Sequence, residues 1–223
     1  MDMVVKVRNL KVSDIDAALD LQRRVYRAIP AFSNQQFASL LEHFPAGQFV
    51  AELNGKLVGM AVSLVILWDD YSLHHTWMSV TNNACFDTHD MTGRTLYGAE
   101  VCVDSGVRHQ GVGHALYEAR RKLCRAMNLK RIIAGGRLPG YHEYAATMSP
   151  EEYAKRVIWG DIYDPVLRFQ LGEGFDYCGI LRDYLPMDDD SLGHAALIVW
   201  LNPDYVETQP TQMPPADLFE EKS

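Results

Sequence analysis

Apolar and polar positions alternate from the start of the chain: "VVKVRNL" has the period of two expected of a half-buried strand. Ser13 then offers an N-cap, and Ile15, Ala18, Leu19, Leu21 and Val25 recur at helical spacing before fading ahead of Pro30. Asn34 is the capping candidate for a second helix, Gln35 to Phe44, which Pro45 closes. The apolar runs "QFVAEL" and "KLVGMAVSLVILW" flank Asn54-Gly55, and Asn-Gly in that setting predicts a hairpin with a two-residue turn. A polar stretch from Asp69 to Gly93 follows, carrying His74, His75, His89 and Asp90.

The second half begins with a strand, "LYGAEVCV" (Leu96 to Val103). After a glycine-bearing turn comes the amphipathic pattern "GHALYEARRKLCRAMN", apolar at Ala115, Leu116, Ala119, Leu123 and Met127. "KRIIAGG" reads as another strand, so Leu96 to Gly136 forms a strand–helix–strand unit with parallel strands. The segment "GGRLPGYHEYA" (Gly135 to Ala145) then breaks any helix, yet brings two tyrosines, a histidine and a glutamate into a connecting loop. Ser149 and Glu152 have capping-box spacing for the helix "SPEEYAKRVIW", and a further helix is expected near Pro165 to Leu171. "FDYCGIL" and "HAALIVWL" are the final strands, paired antiparallel. The expectation is one mixed α/β domain over residues 1–202. An acidic, proline-bearing tail, 203–223, is read as extended or poorly ordered and outside the core.

Composition narrows the function classes. A chain of 223 residues, 48% hydrophobic and 22% charged, suits a single elaborated domain with a real core. Its four cysteines are scattered, three of them in apolar runs, without a C-x-x-C pair, and no signal peptide is evident. Reduced thiols, a cytoplasmic location and no zinc are therefore expected. His74-His75 also lacks metal-ligand spacing, so no metal is expected. The longest apolar run, Leu57 to Trp68, falls short of the roughly 20 residues that span a bilayer. The net charge of −8 argues against nucleic-acid binding but permits a locally held anion.

The strongest chemical signal is "VCVDSGVRHQGVGHALYEARR". A strand ends at Val103, Gly111 and Gly113 lie in a turn, and a helix begins just after. Free N–H groups at a helix N-terminus bind phosphate, and glycine lets the phosphate approach them. A Rossmann fingerprint and a P-loop are both absent, and a tight glycine turn with no ligand has the same spacing.

The pattern Arg108-x-x-Gly111-x-Gly113 resembles the R/Q-x-x-G-x-G/A motif of the GNAT superfamily of acyl-CoA-dependent N-acyltransferases. The order of elements is similar to that fold along nearly the whole chain. The resemblance implies a mixed, mostly antiparallel sheet whose central parallel strands splay at the acyl-CoA site, with helices on both faces. It implies acetyl-CoA as cosubstrate, its pyrophosphate cradled by Arg108, His109, Gln110, Gly111, Val112, Gly113 and His114. The strand Val101, Cys102, Val103 would hold the pantetheine through the backbone of Val101 and Val103 and polarise the thioester carbonyl. A resemblance closer still is to the acetyltransferase-like domain found ahead of carbon–nitrogen hydrolase domains, carried by "DTHD", "LYGAEVCV", "GGRLPGYHEYA", "SPEEY" and "IYDPVLRFQLGEGF". The hydrolase part is expected to be missing, because few residues follow "LIVWLNP".

The family's usual acid, a tyrosine four residues before a late Gly-Phe pair, is matched here by Gln170, and the asparagine seven positions ahead of that tyrosine by Tyr163. Gln170 donates no proton to a thiolate. Tyr141, His142 and Tyr144 are the substitutes the opening loop offers, and each also has a plain packing or surface reading. Glu100 either takes the amine proton through water or faces solvent on its strand. His89-Asp90 either meets a cationic acceptor or forms a turn. Arg120, Arg121 and Lys122 read as a solvated helix face that also suits the adenosine 3′-phosphate. The resulting expectation is transfer of an acetyl group to a primary amine, on a small molecule or a lysine, by a possible homodimer. The alternative is a coenzyme-A-binding regulatory module with weak or no transferase activity. A glycine-turn fold for another nucleotide ranks last.

Overall fold

Asn54 and Gly55 both have positive φ, +53° and +75°, as a two-residue turn between right-twisted strands requires. They join β2 (Phe49–Leu53) to β3 (Lys56–Ile66), the hairpin the sequence predicts. The computed structural model describes residues 4–26 and 28–219. The remaining strands are β1 (Val5–Asn9), β4 (Thr95–Val103), β5 (Arg131–Arg137), β6 (Asp176–Leu181) and β7 (Ala195–Leu201). They form one sheet in the order β1-β2-β3-β4-β5-β7-β6. Every neighbouring pair is antiparallel except β4 and β5, which are parallel.

Helices cover both faces. α1 (Ile15–Val25) and α2 (Asn34–His43) bury Leu19, Leu21, Phe37 and Leu40 against Met60 and Leu64. A single turn, α3 (Trp77–Val80), joins that layer. On the other face α4 (Val112–Ala126), α5 (Pro150–Trp159) and α6 (Pro165–Gly172) bury Leu116, Leu123, Val157 and Leu167 against Ile132 and Ile198.

Local capping differs from expectation by one residue in two places. Ser33 caps α2, its hydroxyl accepting from Gln36 N, so Asn34 is the first helical residue. Ser13 lies within a 3-10 turn, Val12–Asp14, and α1 starts only after it. Ser149 caps α5 as expected, but Glu152 reaches forward to Arg156 at 2.9 Å instead of closing a capping box.

The basic run on α4 requires a larger correction. Arg120 and Arg121 are buried, because they fall on the stripe with Leu116 and Leu123 that faces the sheet; only Lys122 is exposed. Residues 202–219, which follow β7, have neither helix nor strand, yet they are fastened to the domain. Asn128 Nδ2 donates to Val206 O (3.0 Å) and Gln209 O (2.9 Å), and the Phe219 ring packs edge-on to Phe49 at 4.9 Å. Residues 220–223 of the expected tail lie outside the described residues.

Asp164 organises the approach to α6. Its buried carboxylate accepts from Val166 N and Leu167 N, capping the helix, and from the Tyr153 hydroxyl (2.8 Å) and Gly140 N (3.2 Å). Asp164→Ala strands these donors, and urea denaturation is expected to show a loss of about 2–4 kcal/mol. A loss below about 0.5 kcal/mol would mean that these bonds do not hold the loop.

Candidate active site

The parallel pairing of β4 with β5 stops at Gly98–Ala134, and beyond that point the two strands part. The residues of β4 past the parting, Ala99 to Val103, still pair with β3, through a bulge at Val62/Ser63. Asp104 N donates to Val58 O, so by strand alternation the N–H groups of Val103 and Val101 point away from β3, into the gap. The gap is lined with backbone that β5 no longer satisfies.

Side chains satisfy the carbonyls. The Trp77 indole donates to Ala99 O (2.9 Å), the Arg120 guanidinium to Glu100 O, and the Tyr26 hydroxyl to Val101 O (3.2 Å). Arg120 also holds Val62 O (2.6 Å) and Ser63 Oγ (3.1 Å) at the bulge. A Cβ on Gly98 would stand 3.0 Å from its Nη1, so glycine is what lets the guanidinium pass. Burial pulls the Arg120 pKa down to about 10.

At the open end of β4 the chain makes a 3-10 turn over Ser105–Val107, pinned by Asp104 Oδ1 on Gly106 N (2.9 Å). His109 and Gly111 then take positive φ, +64° and +79°, and α4 begins. Ser33, Ser149 and Asp164 cap α2, α5 and α6 with their side chains, but no side chain caps α4. The first-turn N–H groups of an α-helix have no partner within the helix, and a Cβ built on Gly111 would meet nothing within 4 Å. Gly113 has a second reason to be glycine: a Cβ there would meet the Phe169 ring at 3.0 Å. Arg108 and His109 are exposed on the turn. His114 turns aside to the Glu173 carboxylate (3.0 Å), which Arg121 also holds at 2.8 Å. Arg121 is thereby occupied in an internal pair, which removes it from the expected phosphate-binding run.

The model of the acetyltransferase (GNAT) family matches residues 15–144, from the start of α1 through the opening loop. The chain belongs to the GNAT family. It is 43% identical over 203 residues to "Probable hydrolase YhcX" of Bacillus subtilis, a match covering 91% of this chain but 40% of that protein. It is also 32% identical over 205 residues to "Uncharacterized N-acetyltransferase YkwB" of the same organism, covering 89% of each. Among solved structures, the GNAT-like decarboxylase GphF in complex with isobutyryl-CoA superposes with a TM-score of 0.74 at 24% identity, over 88% of this chain and 98% of that one. The loading domain of CurA from Lyngbya majuscula gives 0.77 at 22%, over 89% and 98%.

Within this GNAT fold the candidate residues separate into two groups. Glu100 and Val101 to Val103 lie on β4 past the parting, and Gly111 to Gly113 lie in the turn from that strand into α4. The Cys102 side chain is buried on the α1 face, where burial pushes its thiol pKa well up. Glu100 does not face solvent. It lies half-buried on the same face, both carboxylate oxygens accepting from Gln22 Nε2 (2.9 and 2.8 Å), and burial lifts its pKa to about 7.

The opening loop divides. Tyr141 is buried against Tyr153 and His194 and donates to Met148 O, while Tyr144 packs on Tyr153. Both rings pack among residues of α5 and the β7 entry instead of joining the gap, because Tyr153 offers them an apolar face. His142 stays exposed, its Nδ1 shared between Pro139 O (2.9 Å) and Asp190 O (3.1 Å), and the Asp190 carbonyl raises its pKa. Asp190 pairs with Arg137, whose guanidinium sits 5.7 Å over the Tyr26 ring. His89 is no acceptor contact. It accepts from Val65 N and stacks on Phe44 at 4.2 Å, and burial drops its pKa to about 4.

Gln170 is buried beside β5, its Nε2 donating to the Tyr117 hydroxyl (3.1 Å) and its Oε1 without a partner among the described residues. A Cβ on Gly136 would fall 2.0 Å from that oxygen. Tyr26, Gln22 and Trp77 escaped the sequence reading, and Arg120 reads there as part of a solvated helix face. Gln22 and Arg120 had a visible signal, being polar residues on the buried stripes of α1 and α4; Tyr26 and Trp77 had none.

Glu100 should also mark the pH dependence of stability. A carboxyl whose folded pKa lies near 7, above the ordinary 4.5, keeps its proton longer in the folded state, so it subtracts stability as pH rises from 4.5 to 7. Glu100→Gln removes that loss. Urea midpoints measured from pH 4.5 to 8 should show the variant gaining on the parent up to pH 7 and then holding level. A constant difference would remove the carboxyl's raised pKa from the account.

Proposed function

We propose that this protein transfers an acetyl group from acetyl-CoA to a primary amine. One observation carries the reading: an uncapped, glycine-bearing helix N-terminus opens beside a strand edge whose amides are unpaired. The amides of Gly111 to His114 would receive the pyrophosphate, and those of Val101 and Val103 the pantetheine and thioester oxygen. Arg108, His109 and Gln110 would border the phosphates from the turn. Glu100 would take the proton of the attacking amine, a task for which a pKa near neutrality is well matched. The nitrogen then bonds to the carbonyl carbon, the carbon–sulfur bond breaks, and the coenzyme leaves as a thiolate.

The acceptor would enter from the α1 side, past Tyr26, Arg137 and His142. The net charge of −8 favours a cationic acceptor, a polyamine, an amino sugar or a lysine side chain. The second reading is a coenzyme-A-binding module, possible partner of a carbon–nitrogen hydrolase. Gln170 favours it, since the amide stands where the family's acid is expected and its nitrogen is engaged by Tyr117.

Isothermal titration with acetyl-CoA tests the common part of both readings. Gly111→Asp is the sharper variant, because a Cβ there meets nothing within 4 Å while one on Gly113 meets Phe169, and Asp tolerates the left-handed φ of +79° better than most residues, at some backbone strain. It places a carboxylate where phosphate belongs and is expected to weaken binding at least 100-fold with the fold intact. Retained affinity would move the site elsewhere. Thiol release with chemically diverse amines separates the readings: release with any class supports transfer, and tight binding without release supports the module.

A further inference from the structure

The last turns of α1 grip β4 past the parting at three places. Tyr26 donates to Val101 O (3.2 Å), and Arg24 reaches the Asp104 carboxylate (3.3 Å). Gln22 Nε2 lies 2.9 and 2.8 Å from the two Glu100 carboxylate oxygens. Gln22 is 1% exposed, so its amide must find all its partners within the protein. Its side-chain oxygen accepts from Phe32 N at 2.9 Å.

Phe32 is itself fixed. Its ring meets Phe37 at 5.6 Å and Phe86 at 5.4 Å, both edge-on, and stacks on Trp77 at 6.2 Å. The Trp77 indole donates to Ala99 O, next to Glu100. A chain of contacts therefore leaves β4 at Ala99, passes through Trp77, Phe32 and Gln22, and returns to β4 at Glu100.

The chemical consequence depends on which end of the Gln22 amide meets the carboxyl. A primary amide accepts at one end and donates at the other. The carbonyl end would accept from a protonated Glu100 and favour the acid form. Turning it that way would bring the NH2 group against the Phe32 N–H, donor against donor, and strand both. Phe32 thus leaves only the donor end for Glu100, and a donor favours the carboxylate. Burial acts in the opposite sense and dominates, leaving the Glu100 pKa at about 7. A carboxylate has about four lone-pair sites, so those turned away from Gln22 can take up a proton.

We propose that Gln22 is a positioning residue that keeps Glu100 ionised against burial, and that the Phe32 N–H gives it this role by fixing the sense of its amide. The inference rests on the reading of Glu100 as the base. Without Gln22 the carboxyl would hold its proton at neutral pH and could not take one from the amine. With Gln22, the proton gained in each transfer passes on to solvent. The other titratable or charged groups facing Glu100 are Cys102 on β4, Tyr26 on α1 and, at the Glu100 carbonyl, Arg120 of α4. Burial raises both the Cys102 thiol and the Tyr26 phenol, so neither competes for the proton near pH 7.

Carboxyl carbon-13 NMR of glutamate-labelled protein follows this titration with no ligand present, the Glu100 signal being assigned by its loss in Glu100→Gln. Gln22→Met keeps the length of the side chain and removes the donor, and Gln22→Asn keeps an amide that is one methylene too short. Both are expected to raise the Glu100 midpoint by about one pH unit or more. Tyr26→Phe loosens the same helix from β4 without touching the Glu100 donor, and is expected to leave the midpoint in place. A merely structural role for Gln22 would move all three variants together. With the most reactive amine of the panel above, the acid limb of thiol release should shift in Gln22→Met by as much as the midpoint does. Gln22 variants that titrate like the wild type, or a Tyr26→Phe shift as large as theirs, overturn the role. A raised midpoint with an unchanged pH profile of thiol release instead defeats the reading of Glu100 as the base.

Discussion

A parallel strand pair that ends early leaves backbone groups that must find other partners, and the rest of this molecule is arranged around that need. Past Gly98–Ala134 the facing edges of β4 and β5 no longer satisfy each other. Trp77 and Tyr26 take up the carbonyls of Ala99 and Val101, while Arg120 bridges Glu100 O to Val62 O at the β3 bulge. These side chains come from both faces of the sheet and hold the strands apart. The Val101 and Val103 amides point between the strands, where the proposed function would place the pantetheine arm.

Three glycines make the arrangement possible. Gly98 admits the Arg120 guanidinium, Gly135 the Tyr184 ring and Gly136 the Gln170 amide, each at a distance no Cβ tolerates comfortably. The electrostatics follow from the same burial. Arg120 has three acceptors but no carboxylate among its bonded partners, and Glu100 has an amide partner in Gln22. Burial penalises both charged forms and dipoles offset that only in part, so both pKa values move toward neutrality. A carboxyl with a raised pKa on β4 past the parting, and a buried guanidinium on the carbonyl of the same residue, are the consequence.

The strands, the hairpin turn and the strand–helix–strand unit were legible because their apolar periods and Asn54-Gly55 leave few alternatives. The glycine turn was legible for the same reason: Arg108-x-x-Gly111-x-Gly113 between strand and helix is a local pattern. The tyrosines were not. Tyr141 and Tyr144 sit in a loop that suggests reactivity, yet Tyr153, a neighbour only after folding, draws both rings away. Tyr26 and Tyr184 carry no local signal, since their roles depend on a gap between strands about 75 and 50 residues away. Arg120 lay in plain sight on the stripe of Leu116 and Leu123, where a charge must have buried partners.

A crystal structure of the complex with acetyl-CoA tests the central claim most directly. The account predicts the pyrophosphate on the amides of Gly111 to His114, with the pantetheine running along Val101 to Val103 between β4 and β5. Pyrophosphate bound away from the α4 N-terminus, or an arm that leaves the gap empty, would contradict it.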